Sequence, residues 1–509
     1  MECHFCLGEG DWRFPAAQKS LRDRSLFFTV CTMRSGFFCF LLCVLSACVQ
    51  AEERPNLLFL FLDDYGWRDA GFMGSDFYET PHLDRLAAEG MIFTNAYSAS
   101  ANCAPARASL LSGQYTPRHK VYNVGTGPRG KAEHRRLEHI PGVETLDPTI
   151  RTWAQSIQSA GYKTATMGKW HLSDDPIPYG FDLNIAGTHS GSPPKGYYPP
   201  HPRVPGLGEY ADDEYLTDTL TSRAESFVRE NAENPWMLYL TLFSVHTPLD
   251  ANKKYLEKFK NKPPGELHDH VAMATMIQSV DDGIGRIVAA LEESGTRDRT
   301  IIVFFSDNGG YGPATDMAPL KGYKGTYYEG GIRVPFFVNW PGMIEAGSKS
   351  DILIIGVDLF PTFCEMLGAP LPEGQALDGT SLVPLLKGEG GVARDRSLFW
   401  HFPAYLQSYG GKNDAEQRDP LFRSRPCSVI RKGDWKLIQY FEKGDFEMFD
   451  LASDEGEANN LYKEKSEIAK ELRAELENWQ KEIGADIPTK PNPAFDAEVE
   501  AQAIAKEKS

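Results

Sequence analysis

Nearly continuous apolar runs alternate along the chain with segments of helical periodicity. Residues 56–62, 237–243 and 301–305 are apolar almost throughout and end at polar residues, as expected for strands buried on both faces of a sheet. Helical patterns separate these runs, for example over residues 149–159 and 272–291. Strands that alternate with helices predict an α/β fold with a large, mostly parallel mixed sheet flanked by helices.

From about residue 393 the pattern changes to short mixed segments between Gly and Asp turns. Residues 428–431 and 435–441 are typical of antiparallel strands, and residues 466–483 have the apolar spacing of an amphipathic helix. These features predict a smaller C-terminal subdomain with an antiparallel sheet, closed by a helix. We expect the charged tail after Pro491 to fray.

The N-terminal segment has the pattern of a secretory signal. Met33 and Arg34 precede an apolar stretch at residues 36–45, which is followed by small residues and is too short to span a bilayer comfortably. Residues 1–32 have the features of neither a domain nor a signal. This indicates that translation begins at Met33.

Two fates of the signal segment remain open. Residues 45–48, Leu-Ser-Ala-Cys, are similar to a bacterial lipobox, which would place a lipid anchor on Cys48; cleavage after Ala51 would instead give a free protein. Both alternatives predict an exported protein that is periplasmic, secreted or lipid-anchored. The predicted organisation is an N-terminal extension with the signal segment (1–51), a catalytic domain (52–390), a C-terminal subdomain (391–490) and a charged tail (491–509).

The amino-acid composition argues against two classes of protein, a nucleic-acid binder and a disulfide-built scaffold. The net charge of -17 argues against a nucleic-acid partner, because neutralising phosphates requires Lys and Arg clustered over a whole face. Six of the nine cysteines lie at or before Cys48, which leaves Cys103, Cys364 and Cys427. Three cysteines are too few for a disulfide-built scaffold, so the fold depends on its hydrophobic core.

Acidic side chains follow two of the predicted strands directly. Asp63 and Asp64 follow the first run, and Asp307 and Asn308 follow the run at 301–305. Ligands bind beyond the carboxyl ends of parallel strands, and an all-oxygen ligand set favours calcium or magnesium over zinc. Each pair taken alone could equally cap a helix or form a turn.

Cys103 lies where a polar loop leads into a short helical stretch. Pro105 suits the first turn of that helix, which places residue 103 near its positive end with Arg107 one turn further on. This geometry favours an anionic group at position 103. On its own, the Cys-x-Pro-x-Arg pattern is equally compatible with a buried structural cysteine beside a surface arginine.

The motif at Cys103 does not stand alone. Six further motifs accompany it, and in chain order the set is Asp-Asp (63–64), Thr-Pro-His-Leu-Asp (80–84), Cys-Ala-Pro-Ala-Arg with Ala-Ser-Leu-Leu-Ser-Gly (103–113), Gly-Lys-Trp-His (168–171), His-Thr-Pro (246–248), Asp-Asn-Gly (307–309) and Lys-Gly-Thr-Tyr-Tyr-Glu-Gly-Gly (324–331). In this order the seven motifs resemble the signature of the formylglycine-dependent sulfatases of the alkaline phosphatase-like superfamily, over residues 55–386 and more weakly beyond. His82 stands where that family often has Asn.

The resemblance implies a metal site and a modified nucleophile. A maturation enzyme would convert Cys103 to formylglycine, and one divalent cation, expected to be calcium with magnesium as the alternative, would bind beside it. The implied metal ligands are Asp63, Asp64, Asp307, Asn308 and residue 103.

The resemblance also implies roles for the remaining motif residues. Arg107 and Lys169 would hold the formylglycine hydrate and the sulfate, and Lys324 would bind sulfate near the leaving oxygen. One hydroxyl of the hydrate attacks sulfur and releases the alcohol; the second, deprotonated by His171, expels sulfate and restores the aldehyde. His246 or Lys324 would assist the leaving oxygen.

The substrate is expected to be a sulfated saccharide. A basic cluster near the presumed mouth could bind a polyanionic glycan, and the Pro- and Gly-rich residues 191–208 are a second candidate for substrate contacts. Two other functions stay open: a phosphomonoester or phosphodiester hydrolase of the same superfamily, and a non-catalytic glycan-binding homologue. The basic cluster consists of Arg129, Lys131, His134, Arg135, Arg136 and His139.

Overall fold

The three apolar runs form neighbouring strands at the centre of one large sheet. In the computed structural model, which describes residues 54–410 and 418–508, the first run pairs in parallel with both of the others. Met33 and Cys48 lie outside the described residues, as does the whole signal segment. Within the described residues, no helix is both long and apolar enough to cross a membrane.

Strands and helices alternate through the first three quarters of the chain. The strands are β1 (Asn56–Leu62), β2 (Met91–Phe93), β3 (Ala96–Tyr97), β4 (Lys163–Gly168), β5 (Leu183–Ile185), β6 (Trp236–Thr241), β7 (Thr300–Ser306), β8 (Phe336–Asn339), β9 (Ser348–Ser350), β10 (Ile354–Ile355), β11 (Ser397–Phe402), β12 (Leu406–Gln407), β13 (Phe422–Ser424), β14 (Cys427–Lys432), β15 (Trp435–Tyr440) and β16 (Asp445–Asp450). The α-helices are α1 (Pro81–Ala88), α2 (Cys103–Ser112), α3 (Thr116–His119), α4 (Trp153–Ser159), α5 (Leu216–Glu230), α6 (Leu256–Lys260), α7 (Val271–Glu293), α8 (Glu329–Ile332), α9 (Leu359–Leu367), α10 (Val383–Leu386), α11 (Ser466–Ile483) and α12 (Ala497–Glu507).

The large sheet is mixed but mostly parallel, which confirms the predicted fold class. Within the described residues it has eight strands in the order β5-β4-β6-β1-β7-β8-β2-β9. Strands β5, β4, β6, β1 and β7 run parallel, whereas β8 is antiparallel to both β7 and β2. The side chains of β1 alternate between two cores: Leu58 and Leu60 pack on one face, Leu57 and Phe59 on the other. Burial on both faces explains why this strand is apolar throughout.

The smaller C-terminal sheet is antiparallel, as predicted, with the strand order β11-β14-β15-β16. Helix α11 covers it, and Leu472 and Leu476 share a buried core with Val429 and Leu437. The same core contains Ile332 of the preceding part of the chain, so the two parts are packed together. The domain boundary at residue 390 stays a prediction.

Two local predictions need correction. Helix α4 begins at Trp153 rather than at residue 149, because Thr152 caps it: the Thr152 side chain accepts from the Gln155 N–H, and the Gln155 side chain accepts from the Thr152 N–H. The prediction that the tail frays is wrong. After Pro491 the chain forms α12, whose amino end is capped by Asp496 and whose Glu500 is buried.

Candidate functional site

The acidic residues that follow β1 and β7 lie side by side. Leu62 pairs with Ser306 at the ends of these parallel strands, so the residues that follow emerge at one edge of the sheet. The Asp64 N–H donates to Asp307 Oδ1 at 3.2 Å, and Asn308 Nδ2 donates to Asp64 Oδ1 at 2.8 Å. The predicted oxygen ligands therefore converge on one buried point.

Helix α2 brings Cys103 and Arg107 to the same edge. Cys103 is the first residue of the helix and is buried, close to the positive end of the helix dipole. Arg107 donates through Nε and Nη2 to Asp307 Oδ2 at 3.1 and 2.9 Å, and through Nη1 to Thr241 Oγ1 at 2.6 Å. These bonds fix α2 against the ends of β6 and β7.

Two lysines pair with the aspartates after β1. Lys169 Nζ lies 2.5 Å from Asp63 Oδ2, and Lys324 Nζ lies 2.7 Å from Asp64 Oδ1. Burial alone would raise the pKa of Asp64, but the charge of Lys324 holds that pKa well below its ordinary value. Burial alone would lower the pKa of Lys324; the carboxylate of Asp64 instead holds it well above its ordinary value. Both groups are charged at neutral pH.

Within the described residues, protein groups satisfy the acceptor oxygens of the site only in part. Burial raises the pKa of Asp307 to about 7, and the negative charge of Asp63 adds to the effect, against the opposing influence of Arg107. Asp63 Oδ1 and Asn308 Oδ1 are buried acceptors with no hydrogen-bond partner among the described residues. Unsatisfied buried oxygens of this kind are what a hard cation requires, so the residues fit the implied metal.

His246 lies nearer to the carboxylates than the sequence indicated. Its Nε2 is 3.9 Å from Asp64 Oδ2, and ligand atoms of Asp63, Asp64 and His246 all lie within 4.8 Å of one another. Because the Thr247 carbonyl can only accept, the 2.8 Å contact with His246 Nδ1 places the proton on Nδ1. Burial, together with the charges of Lys324 and Lys169, lowers the pKa of His246 to about 3. The imidazole is therefore neutral, with its Nε2 lone pair facing the acidic cluster.

His171 follows Lys169 at the end of β4. Its backbone has a φ of 70°, and its Nδ1 has no hydrogen-bond partner among the described residues. Burial lowers the pKa of His171 well below its ordinary value, and the charges of Lys169 and Arg107 lower it further. This ring is consequently neutral at pH 7.

A cavity of about 400 Å³ opens over these groups. It is lined by five of the predicted site residues: Asp64, Cys103, His171, His246 and Lys324. Arg107 and Lys169 are fully buried and are not among its lining residues. They lie in the layer that holds the carboxylates rather than at the cavity surface.

The structure places only some of the predicted substrate-contact residues at the cavity. Gly191 lines the cavity, and Arg129 is the one member of the basic cluster that does so. Arg136 instead pairs with Glu500 of α12, and His134 is buried. The structure also adds lining residues that the sequence did not indicate, because they come from segments without a recognisable motif: Tyr311, Tyr409 and Arg423.

Comparison with known proteins agrees with this architecture. A family model described as Sulfatase matches residues 55–369, and one described as N-sulphoglucosamine sulphohydrolase, C-terminal, matches residues 323–482. A sulfatase of Formosa agariphila is 30% identical over 511 residues, covering 84% of this chain and 89% of the relative. Human N-acetylgalactosamine-6-sulfatase is 33% identical, with 69% of each chain covered.

A solved structure shows the same fold over most of the chain. The crystal structure of Ps i-CgsB in complex with k-i-k-neocarrahexaose has a TM-score of 0.69 and 27% identity, and covers 89% of this chain and 98% of its own. The fold and the family match together define an alkaline phosphatase-like hydrolase with an acidic site at the edge of its sheet. The chain belongs to the sulfatase family and is a sulfuric ester hydrolase.

Proposed function

We propose that the protein hydrolyses a sulfate ester on a sulfated carbohydrate and that its nucleophile is formylglycine made from Cys103. The relatives support this substrate class: one is a human N-acetylgalactosamine-6-sulfatase, and another binds the saccharide k-i-k-neocarrahexaose. The exported location predicted from the signal segment suits a substrate found outside the cytoplasm.

The main support for the proposal comes from the surroundings of Cys103. It is the first residue of α2, lines the cavity beside Lys324, and lies one helical turn from Arg107. This cationic setting favours a group that carries developing negative charge. A formylglycine hydrate at this position supplies two hydroxyls, one for attack on sulfur and a second that allows sulfate to leave. Neither cysteine nor serine offers the second hydroxyl.

Asp63, Asp64, Asp307, Asn308 and residue 103 would hold a divalent cation, which we propose to be calcium. The two unpartnered acceptor oxygens support this ligand set, and oxygen ligands suit calcium or magnesium better than zinc. When bound, the cation helps to neutralise the charge on the sulfate oxygens.

The protein side chains have separable roles in this proposal. Lys324 is protonated and lines the cavity, which suits a hydrogen bond to the leaving oxygen better than the neutral His246 does. His171 is neutral with an unpartnered nitrogen, which suits acceptance of a proton from the second hydroxyl. Arg107 and Lys169 hold the carboxylates of Asp307 and Asp63 in place.

Product release from paired aryl esters tests the proposal. Protein from the native host should release sulfate from 4-nitrophenyl sulfate much faster than phosphate from 4-nitrophenyl phosphate. Cys103→Ala should abolish sulfate release while the fold is retained, as judged by circular dichroism. A strong preference for phosphate would favour the phosphoester hydrolase, and activity that survives Cys103→Ala would exclude the assigned nucleophile.

A further inference from the structure

Two arginines line the active-site cavity without being part of the chemistry proposed above. Arg129 comes from the loop before α4 and Arg423 from β13, yet both line the cavity that contains Cys103 and Lys324. We propose that they bind a second oxyanion of the substrate, a sulfate or carboxylate group carried by the same saccharide as the scissile sulfate ester. This inference rests on the proposed function, because it assumes that the substrate is a sulfated carbohydrate.

Arg423 is held in position by groups that leave its charge unneutralised. Its Nε donates to the Gln407 carbonyl at 2.9 Å and its Nη1 to the Lys324 carbonyl at 3.1 Å, while the guanidinium lies 3.7 Å from the ring centroid of Tyr409. Within residues 54–410 and 418–508, no salt bridge to a carboxylate is formed by Arg423. A fixed guanidinium with N–H groups to spare is preorganised to bind an oxyanion bidentately.

Arg129 also has a guanidinium whose charge is not neutralised. Its Nη2 donates to the Val124 carbonyl at 2.6 Å, and within the described residues it too forms no salt bridge. Nearby arginines differ: Arg136 and Arg425 both pair with Glu500. A carboxylate therefore neutralises each of these two neighbours, in contrast to Arg129 and Arg423.

The remaining charges of the cavity do not compensate for these arginines. Asp64 is the acidic residue that lines it within the described part of the chain, and its carboxylate is already paired with Lys324. The chain as a whole carries a net charge of -17, so a cationic wall here is a local feature. Charge of one sign in a cleft raises the local concentration of ligands of the opposite sign.

The position of Arg423 separates the second oxyanion from the scissile one. Its hydrogen bond to the Lys324 carbonyl places Arg423 next to the lysine that we assign to the leaving oxygen, so we expect a group bound by Arg423 to lie on the leaving-group side of the ester. The substrate class is therefore a saccharide with at least two anionic groups.

Calorimetric titration of the full chain carrying Cys103→Ala tests the inference, because the saccharides then stay intact. The ligands are N-acetylgalactosamine 6-sulfate with one anionic group, N-acetylgalactosamine 4,6-disulfate with a second sulfate, and the chondroitin 6-sulfate disaccharide with a uronate. At constant ionic strength at least one of the two dianionic ligands should bind about tenfold more tightly than the single anion. Which of them does so identifies the second group as sulfate or carboxylate.

Adding Arg423→Gln or Arg129→Gln should remove most of that preference while leaving affinity for the monosulfated sugar nearly unchanged. Lys131→Gln is the matched control, because it removes the same charge from an exposed residue of the same loop and should preserve the preference. Equal affinities for all three ligands would overturn the inference. It would also be overturned if Arg423→Gln weakened the binding of the monosulfated sugar as much as that of the dianionic saccharides. Failure of the proposed function would show separately, as absent sulfate release by the unsubstituted enzyme.

Discussion

The ring of His171 lies against Gly191, a residue in the Pro- and Gly-rich stretch that the sequence singled out. A Cβ at Gly191 would lie 2.5 Å from His171 Nε2 and 2.6 Å from its Cε1, well inside contact distance. Glycine is therefore required here for space rather than for backbone conformation. This contact links the Pro- and Gly-rich stretch to the proposed proton acceptor.

Gly191→Ala should lower the rate of sulfate release about tenfold to a hundredfold, because the added methyl group displaces the His171 ring. Gly127→Ala is the control, since a Cβ there meets nothing within 4 Å. The kcat for 4-nitrophenyl sulfate measures the effect. An unchanged kcat in the Gly191→Ala protein would mean that the rate of sulfate release does not depend on the position of the His171 ring.

A buried histidine beneath α2 makes stability depend on pH. His119 Nδ1 accepts from the Val121 N–H at 3.1 Å, so its Nε2 carries the proton toward Ser109 Oγ at 2.9 Å. Burial lowers the pKa of His119 from 6.5 to about 3. Between these values the unfolded chain binds a proton that the folded chain does not, so the free energy of unfolding falls as pH falls below 6.5.

His119→Gln should flatten this dependence. Between pH 7 and pH 5 the unsubstituted protein should lose about 2 kcal/mol more of its unfolding free energy than the variant does. Urea unfolding at the two pH values measures the difference. If the unfolding free energies of the two proteins changed equally with pH, His119 would not be a source of the pH dependence.

Among the secondary-structure elements, the strands could be predicted most directly from the sequence. β1 and β7 are buried on both faces, so their apolar runs mark both their position and the acidic residues at their ends. Helix α12 could not be predicted in the same way, because mainly charged and polar contacts hold it. Glu500 pairs with Arg425 at 3.0 Å and also with Arg136. Contacts of this kind leave no periodic apolar pattern.

Glu500→Gln should loosen α12, because it removes the negative charge that these two arginines share. Hydrogen exchange of the α12 amides should become roughly tenfold faster or more. Glu498→Gln, at an exposed position of the same helix, should have little effect. Equal amide exchange rates in the two variants would show that the ion pairs of Glu500 do not hold α12 in place.

For the whole molecule, the active site joins parts of the chain that sequence reasoning could treat only separately. The acidic residues, Cys103 and the motif lysines were predictable because each accompanies a strand end or a recognisable motif. Arg423 and Tyr409 were not, since they reach the cavity through the packing of the C-terminal part against the preceding part of the chain. The proposed reacting groups thus come from a helix and loops beside the main sheet, and the C-terminal part adds residues to the cavity wall.

The overall charge of the site gives a prediction about the metal. Asp63, Asp64 and Asp307 are matched in number by Arg107, Lys169 and Lys324, so a bound divalent cation would leave a net positive site suited to an anionic ester. Chelation should therefore abolish sulfate release and lower the melting temperature, because the ion binds only the folded state. Calcium should restore both. Full activity in protein shown by elemental analysis to be metal-free would contradict this assignment.

The chemical state of residue 103 is the central claim, and the mass of the tryptic peptide spanning residues 86–107 measures it directly. In active protein from the native host, this peptide should carry an aldehyde in place of the Cys103 thiol. An intact thiol at Cys103 in protein that releases sulfate would contradict the account.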